Sequence, residues 1–383
     1  MKVWRRWHRQ WHSAVLAVLR SSRLPVESLV EREQPALSRV YGWIIDRKRR
    51  MELKHGHRIA PPHIPVLSVG NMTFGATGKT PFVQFLVDYV LKQTHDDKVP
   101  LMLSRGYGDD EWRMLAKQFP ACHVAVGGDR VATGAAKVKE LGGEQAPLSC
   151  IVLDDGLQQW RLVKDLEVVM LDALRPLGNG YLLPCGSLRE LPRDALARAD
   201  VVVVHHANLL DENELDKLMK CLQLLIDRQR RPVIATSQMK VVGLIPAGRL
   251  LSHGHRENTL ENASCLADRV VLIVCGVGNP ESVAKVVGKL AFGGHVELKA
   301  FPDHHAFTSG DVQDILMWVR ELQHHQEVVV VTTEKDFARS PNSMEVLAAQ
   351  VDLRILRCEL ELLQNAHEVK ERVKSCLNRQ YSD

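Results

Sequence analysis

The sequence predicts an α/β fold in which a parallel sheet, covered by helices on both faces, is followed by a smaller C-terminal α/β domain and preceded by an N-terminal amphipathic helix. Three observations carry that prediction. Continuous apolar and β-branched runs at Val99–Ser104, Cys150–Asp155, Leu166–Asp172, Asp200–His206 and Pro232–Thr236 recur with helical stretches between them, and strands buried on both faces read in this unbroken way. An alternating apolar strand from Val66 runs into a glycine-rich turn ending in Gly78-Lys79-Thr80, and a helix-periodic segment follows at Phe82, Phe85, Leu86, Tyr89 and Val90. Finally, the strand–helix alternation lapses between about Val241 and Asn262 and then resumes.

The 383 residues exceed one ordinary core, so two domains are expected, and 45% hydrophobic with 25% charged residues is an ordinary globular composition. A net charge of +4 is too small to indicate a nucleic-acid partner, and nothing points to an obligate protein partner. Eight cysteines without a C-x-x-C pair read as buried thiols of a reducing compartment. The 17 histidines include three doublets, none with the spacing of a closed metal site.

Residues 1–60 form a basic, amphipathic region that associates with a membrane or carries a targeting signal. From Met1 to Val26 there is no acid, while Lys2, Arg5, Arg6, Arg9, Arg20 and Arg23 are basic. Trp4, Trp7, Trp11, Val15 and Val18 share one helical face, which suits a membrane interface; an organelle transit peptide and a helix packed on the core are the other readings. A second apolar segment, Leu37, Val40, Tyr41 and Ile44, leads into Arg47-Lys48-Arg49-Arg50 and suits an anionic surface in the same way. No apolar run approaches the roughly 18 to 20 residues that span a bilayer.

Residues 61–242 hold the phosphate loop and its sheet. Gly75 and Gly78 permit a tight turn, so that successive N–H groups of Gly75, Ala76, Thr77, Gly78, Lys79 and Thr80 and the positive end of the new helix converge on one anion. Lys79 then reaches the β- and γ-phosphates of ATP and the Thr80 hydroxyl ligates magnesium, which makes the fold P-loop NTPase-like. One end departs from the usual pattern, because Thr73 stands where a first glycine is expected. The strand from Cys150 ends in Asp154-Asp155-Gly156, the usual place for a second magnesium-holding carboxylate.

After a linker at 243–262, residues 263–383 show strand Arg269–Cys275, turn Gly276-Val277-Gly278-Asn279-Pro280, a helix to about Leu290 and strand Val296–Phe301. A helix after Ser309, strands Val328–Thr332 and Val351–Leu362, and a polar amphipathic helix complete the domain.

Together with Leu103-Ser104-Arg105-Gly106-Tyr107-Gly108, Asp110-Glu111, Gly178-Asn179-Gly180 and Leu182-Leu183-Pro184-Cys185-Gly186-Ser187-Leu188-Arg189-Glu190, the chain closely resembles the tetraacyldisaccharide 4'-kinase family. The resemblance continues through Phe301-Pro302-Asp303-His304 and Thr333-Glu334-Lys335-Asp336. It implies a membrane-surface kinase that phosphorylates an acylated glucosamine disaccharide lipid, with a smaller C-terminal domain closing over ATP. Residue by residue it implies Lys79 and Thr80 on phosphate and magnesium, Asp154, Asp155 and Glu190 around the metal, and Asp110 as base. Glu111, counted with the metal-side carboxylates, and Arg130, Arg189 and His304 are the other active-site groups it implies; for Arg130 and Glu190 the plain alternative is a structural ion pair. His304 is expected to hydrogen-bond and orient Asp110 once the domains close. The family's Asp-Gly-x-Gln-His becomes Gln158-Gln159 here, and its Gly-Asp-Glu-Pro becomes Asp109-Asp110-Glu111-Trp112. The short segment before Asp109, with Trp160 and the His205-His206 doublet, looks like the plant branch, in which the enzyme is mitochondrial; otherwise the cytoplasmic face of a bacterial inner membrane is expected. The competing function is a P-loop kinase or NTPase acting on a soluble hydroxyl compound.

Overall fold

The structure, a computed structural model, describes residues 33–94, 98–106, 109–226, 231–248, 260–322 and 327–378, without the side chains of 109–111. The tryptophan-bearing segment at 1–26 lies outside the described residues. The chain divides into two compact units, one holding most residues up to Gln238 and regaining the chain at Leu362, the other Met239–Glu361.

In the first unit the sheet order is β3-β2-β4-β1-β5-β6-β7, from β1 (Val66–Asn71), β2 (Val99–Ser104), β3 (His123–Val126), β4 (Leu148–Asp154), β5 (Leu166–Asp172), β6 (Val201–His205) and the start of β7 (Val233–Pro246). Neighbouring strands run parallel throughout. Every residue of β1, β4 and β5 is buried, which is why these strands read as unbroken apolar runs. One face packs Val169, Leu171, Val202 and Val204 against Leu218 and Leu222 of α6 (Glu212–Leu225) and Ala195 and Leu196 of α5 (Pro192–Leu196). The other sets Val66, Leu101, Leu103, Ile151 and Leu153 against Ile59, Ile64 and Val138 of α4 (Arg130–Glu140). Helix α2 (Lys79–Gln93) buries Phe82, Val83, Leu86, Val87 and Val90, a stripe at helical spacing.

Helix α1 (Ala36–Lys54) is amphipathic with its faces reversed from those of a core helix. It turns Ser38, Tyr41 and Arg49 inward, with Ser38 Oγ donating to Leu182 O at 2.7 Å and Tyr41 Oη to Arg189 O at 3.0 Å. Leu37, Val40, Trp43, Ile44 and Met51 are at least 50% exposed. No helix among the described residues is long and apolar enough to cross a membrane.

The second unit orders its strands as the end of β7, then β11 (Asp352–Leu362), β10 (Val328–Thr333), β8 (Val270–Cys275) and β9 (His295–Ala300). Alternate residues of β8 and β10 separate two cores. Leu272, Val274 and Val330 meet Val312 and Ile315 of α8 (Ser309–Leu322) and Leu347 of α10 (Pro341–Ala348), while Val271, Ile273 and Val329 meet Val287 of α7 (Pro280–Leu290).

Two boundaries differ from the sequence reading. Strand β7 continues to Pro246, into the stretch taken as linker, because its half-exposed middle carries Gln238 and Lys240 and interrupts the apolar run. The closing helix, α11 (Ala366–Leu377), belongs to the first unit, where Val369, Val373 and Cys376 are buried and Tyr89 Oη donates to Lys370 O at 3.3 Å.

Candidate active site

The phosphate loop leaves β1 beside the end of β4, with Val69 abreast of Asp154. Gly75 and Gly78 lie at φ +114° and +81°, the left-handed region where a Cβ is strained. Gly78 occupies the N-cap of α2 without a side-chain cap, which leaves the first-turn N–H groups directed at an anion position. Asn71, fully buried, donates from Nδ2 to Thr77 Oγ1 at 2.9 Å and so fixes the inner limb of the loop. The outer limb is tied by Phe74 N–H to Ser187 O at 2.7 Å and by the bridge of Thr73 to Leu188.

An arginine–aspartate pair stands beside the loop. Arg189 grips Asp155 with both nitrogens, at 3.0 and 2.8 Å, and also donates to Asn71 O at 2.6 Å and to Asn71 Oδ1. Lys79 Nζ is 3.8 Å from Asp155 Oδ1. Burial pushes the Asp155 carboxyl up, but Arg189, Lys79 and Arg130 outweigh it and hold the group well below the usual carboxylate range. The backbone of Asp155 is itself left-handed, at φ +54°, so the chain turns sharply immediately after Asp154. Arg130 opens α4 behind the Asp129 cap, whose carboxylate accepts from Val131 N at 3.0 Å and Ala132 N at 3.2 Å. At 1% exposure, Arg130 has its pKa lowered by burial and partly restored by Asp155.

Glu190 is buried among cationic and amide partners. Arg198 Nη2 contacts both its oxygens, at 2.9 and 2.7 Å, Gln158 Nε2 donates to Oε1 at 2.9 Å, and Arg49 Nη1 lies 3.8 Å away. Gln158 also donates to Asn71 O at 3.1 Å, linking this buried cluster to the phosphate loop. Asn71, Gln158, Arg49 and Arg198 are thus site residues that sequence reasoning passed over. The first two are uncharged members of motifs noted for their neighbours, Arg49 belongs to a basic run that reads as surface, and Arg198 stands in no motif.

Thr80 is half-buried in the first turn of α2, and Asp154 is buried at the end of β4. Asp110 and Glu111 fall in the first turn of α3 (Asp109–Gln118), their side chains outside the described residues. In the second unit His304 adopts φ +59°, its N–H donating to Gly276 O at 3.2 Å and Asp303 Oδ1 at 3.0 Å. Asp336, with no exposure, accepts from Gly276 N–H at 3.1 Å, and Arg339 Nη1 donates to Gly276 O at 3.2 Å and His305 O at 3.4 Å, so the turn carrying His304 is clamped from below. No group of three or more His, Cys, Asp or Glu placed to hold a metal occurs among the described residues.

This geometry coincides with a family-level match. The family model described as LpxK, tetraacyldisaccharide-1-P 4'-kinase, matches residues 35–112 and 108–378. The chain is 33% identical over 353 residues to a probable mitochondrial tetraacyldisaccharide 4'-kinase of Arabidopsis thaliana, covering 85% of each chain. It is 32% identical over 337 residues to the tetraacyldisaccharide 4'-kinase of Anaeromyxobacter sp. (strain K), covering 82% of each. The crystal structure of LpxK from Aquifex aeolicus in complex with ATP is similar in fold, with a TM-score of 0.60 and 23% identity over 92% of this chain and 100% of that one. On the extent of the family match and the identity to both relatives, this chain belongs to the tetraacyldisaccharide 4'-kinase family, the ATP-dependent kinases of lipid A biosynthesis.

Proposed function

We propose that this chain transfers the γ-phosphate of ATP to the 4'-hydroxyl of an acylated glucosamine disaccharide 1-phosphate, giving a product of the lipid IVA type. The observation that carries the reading is the loop from Asn71 to Thr80, opening an uncapped helix beside the Lys79–Asp155–Arg189 cluster, in a chain of this family. Phosphoryl transfer asks the protein chiefly for positioning and charge. Lys79 and the α2 N–H groups bind the phosphates; Arg189 holds Asp155, and Asp155 in turn holds Lys79 within reach. Arg130 adds a buried positive charge behind them.

A magnesium site needs hard oxygen donors, and one or two protein oxygens suffice when phosphates supply the rest. Thr80 and Asp154 fit that set. Asp155 and Glu190 have oxygens engaged by Arg189 and by Arg198 with Gln158, so in our reading they shape the site around the ion. The ion, when bound, supplies charge to the β- and γ-phosphates. Asp110 accepts the proton of the sugar hydroxyl as the new O–P bond forms and the bond to ADP breaks. Gln159 supplies no titratable group at the position of the family's histidine.

The lipid acceptor places the reaction at a membrane surface. The outward apolar stripe of α1, flanked by the exposed Arg47, Lys48 and Arg50, supports peripheral docking. The similarity to the Arabidopsis relative, named as mitochondrial, supports a mitochondrial location. The test is transfer of radiolabel from ATP to the tetraacyl disaccharide 1-phosphate in detergent, with Lys79→Ala as the inactive control. Label moving instead to a soluble hydroxyl compound, with none on the lipid, would favour the competing reading and sink this one.

A further inference from the structure

Strand β6 ends at His205 and His206 follows it, and neither imidazole has a part in the transfer proposed above. Both are interior, at 1% and 6% exposure, with ring centroids 3.9 Å apart. His206 turns its Nδ1 to Asp172 Oδ1 at 3.0 Å. His205 sets its Nδ1 2.9 Å from Oγ of Ser237, the residue abreast of it on β7. The opposite edge of the His205 ring lies on the phosphate loop. A Cβ built on Gly78 would stand 2.4 Å from its Cδ2, 2.7 Å from its Cγ and 2.9 Å from its Nε2.

Its hydrogen-bond partner and its burial define the state of this ring. Ser237 has no exposure, and a buried hydroxyl that does not donate its hydrogen is costly. Nδ1 is the acceptor beside it, which leaves the proton of the neutral ring on Nε2. Burial first, then the neighbouring His206, holds His205 well below its ordinary pKa. The ring is therefore a neutral, fixed, planar body occupying the space where any other residue at position 78 would carry its side chain.

We propose that His205 is a positioning residue of the phosphate loop, its ring supporting Gly78 in the left-handed conformation that starts α2 and aims Lys79 and Thr80 at the nucleotide. The inference rests on the reading of this loop as the ATP site. Gly78 is needed there twice over, for its φ of +81° and for the room it leaves to His205. Without the ring the turn has no backing on that side, and ATP has to order it on binding, which weakens affinity.

The test measures ATP affinity by calorimetry on the whole chain, beside thermal denaturation and the KM for the lipid acceptor. His205→Ala is expected to bind ATP about tenfold more weakly, with the lipid KM unchanged and affinity partly restored by added imidazole. His205→Asn keeps an acceptor for Ser237 in Oδ1 but lacks the Nε2 edge, and a smaller loss of about threefold is expected. It decides the matter if the alanine variant does not fold. ATP affinity within about twofold of wild type in the folded variants, with only the melting temperature lowered, would overturn the inference and leave His205 a packing residue. If the wild-type chain itself binds no ATP, the kinase reading fails and takes this inference with it.

Discussion

Arg189→Ala removes the group that ties three parts of the site together, and its cost can be worked from the contacts. Arg189 makes two hydrogen bonds to the Asp155 carboxylate and two to Asn71, one through the backbone carbonyl and one through Oδ1. Breaking a buried ion pair by deleting one partner costs about 3–5 kcal/mol. Here the Arg189 side chain is 13% exposed and that of Asp155 is 32% exposed, so water re-solvates part of the orphaned carboxylate and a loss of about 2–3 kcal/mol is expected. If that loss falls on the transition state, kcat/KM drops about 30- to 150-fold. Lys79 then carries, with Arg130, the charge that faces Asp155 and is drawn from the phosphates toward it, so ATP affinity falls as well. Arg189→Lys keeps the charge but not the two-pronged grip, and is expected to recover less than half of the loss in free energy. The assay is initial-rate transfer of label from ATP to the lipid, with ATP affinity measured separately. A kcat/KM within about threefold of wild type for Arg189→Ala, in a protein that melts normally, would refute the reasoning.

Asp110→Asn and His304→Ala are each expected to cut turnover by about two to four orders of magnitude with little change in ATP affinity, and the double variant to be little worse than either. Fully additive losses would mean that the two act independently. Deletion of residues 1–30 is expected to weaken sedimentation with anionic vesicles by about 1 kcal/mol per basic residue lost from the surface, while ATP binding persists; unchanged sedimentation would assign membrane contact to α1 alone or to neither. A pH effect follows from His205, whose folded-state pKa lies below its unfolded value near 6.5. Its neutral form therefore contributes stability that is complete above about pH 6.5 and is lost as pH falls toward the folded value, by at most about 2 kcal/mol at pH 5. Denaturant melts at pH 7 and pH 5 check this, since His205→Asn is expected to flatten that part of the slope and an unaltered slope would dismiss it.

The parts of this fold legible in the sequence are those where a single physical demand governs a whole run. Strands β2 and β5 are found at the bounds the apolar runs indicate, because burial on both faces demands apolar residues along most of each run, with Glu167 the buried exception inside β5. Strand β3 escapes such reading, being four residues at the sheet edge with one buried. The loop residues Gly75 to Thr80 are legible because a tight turn, an anion and a helix start make demands on consecutive positions. Glu190 shows the opposite case. Its motif marks it as part of the site, but its partners Arg198, Gln158 and Arg49 come from three separate stretches, and only the folded chain brings them to one carboxylate. His205 is similar, since a histidine at a strand end says nothing of the glycine it touches until β6 and the phosphate loop are placed.

The return of the chain at Leu362 has a consequence for synthesis. Thr236 on the outgoing strand exchanges backbone hydrogen bonds with the returning segment, Leu363 N–H to Thr236 O at 2.8 Å and Thr236 N–H to Gln364 O at 3.3 Å, and α11 then packs into the unit that carries the phosphate loop. The second unit is therefore an insertion whose two ends meet, and the unit that carries the phosphate loop is built from stretches of chain on either side of it. A nascent chain can complete the inserted unit while the core around β5 still lacks Val369, Val373 and Cys376. A chain cut after Glu361 lacks a piece of the unit that carries the phosphate loop.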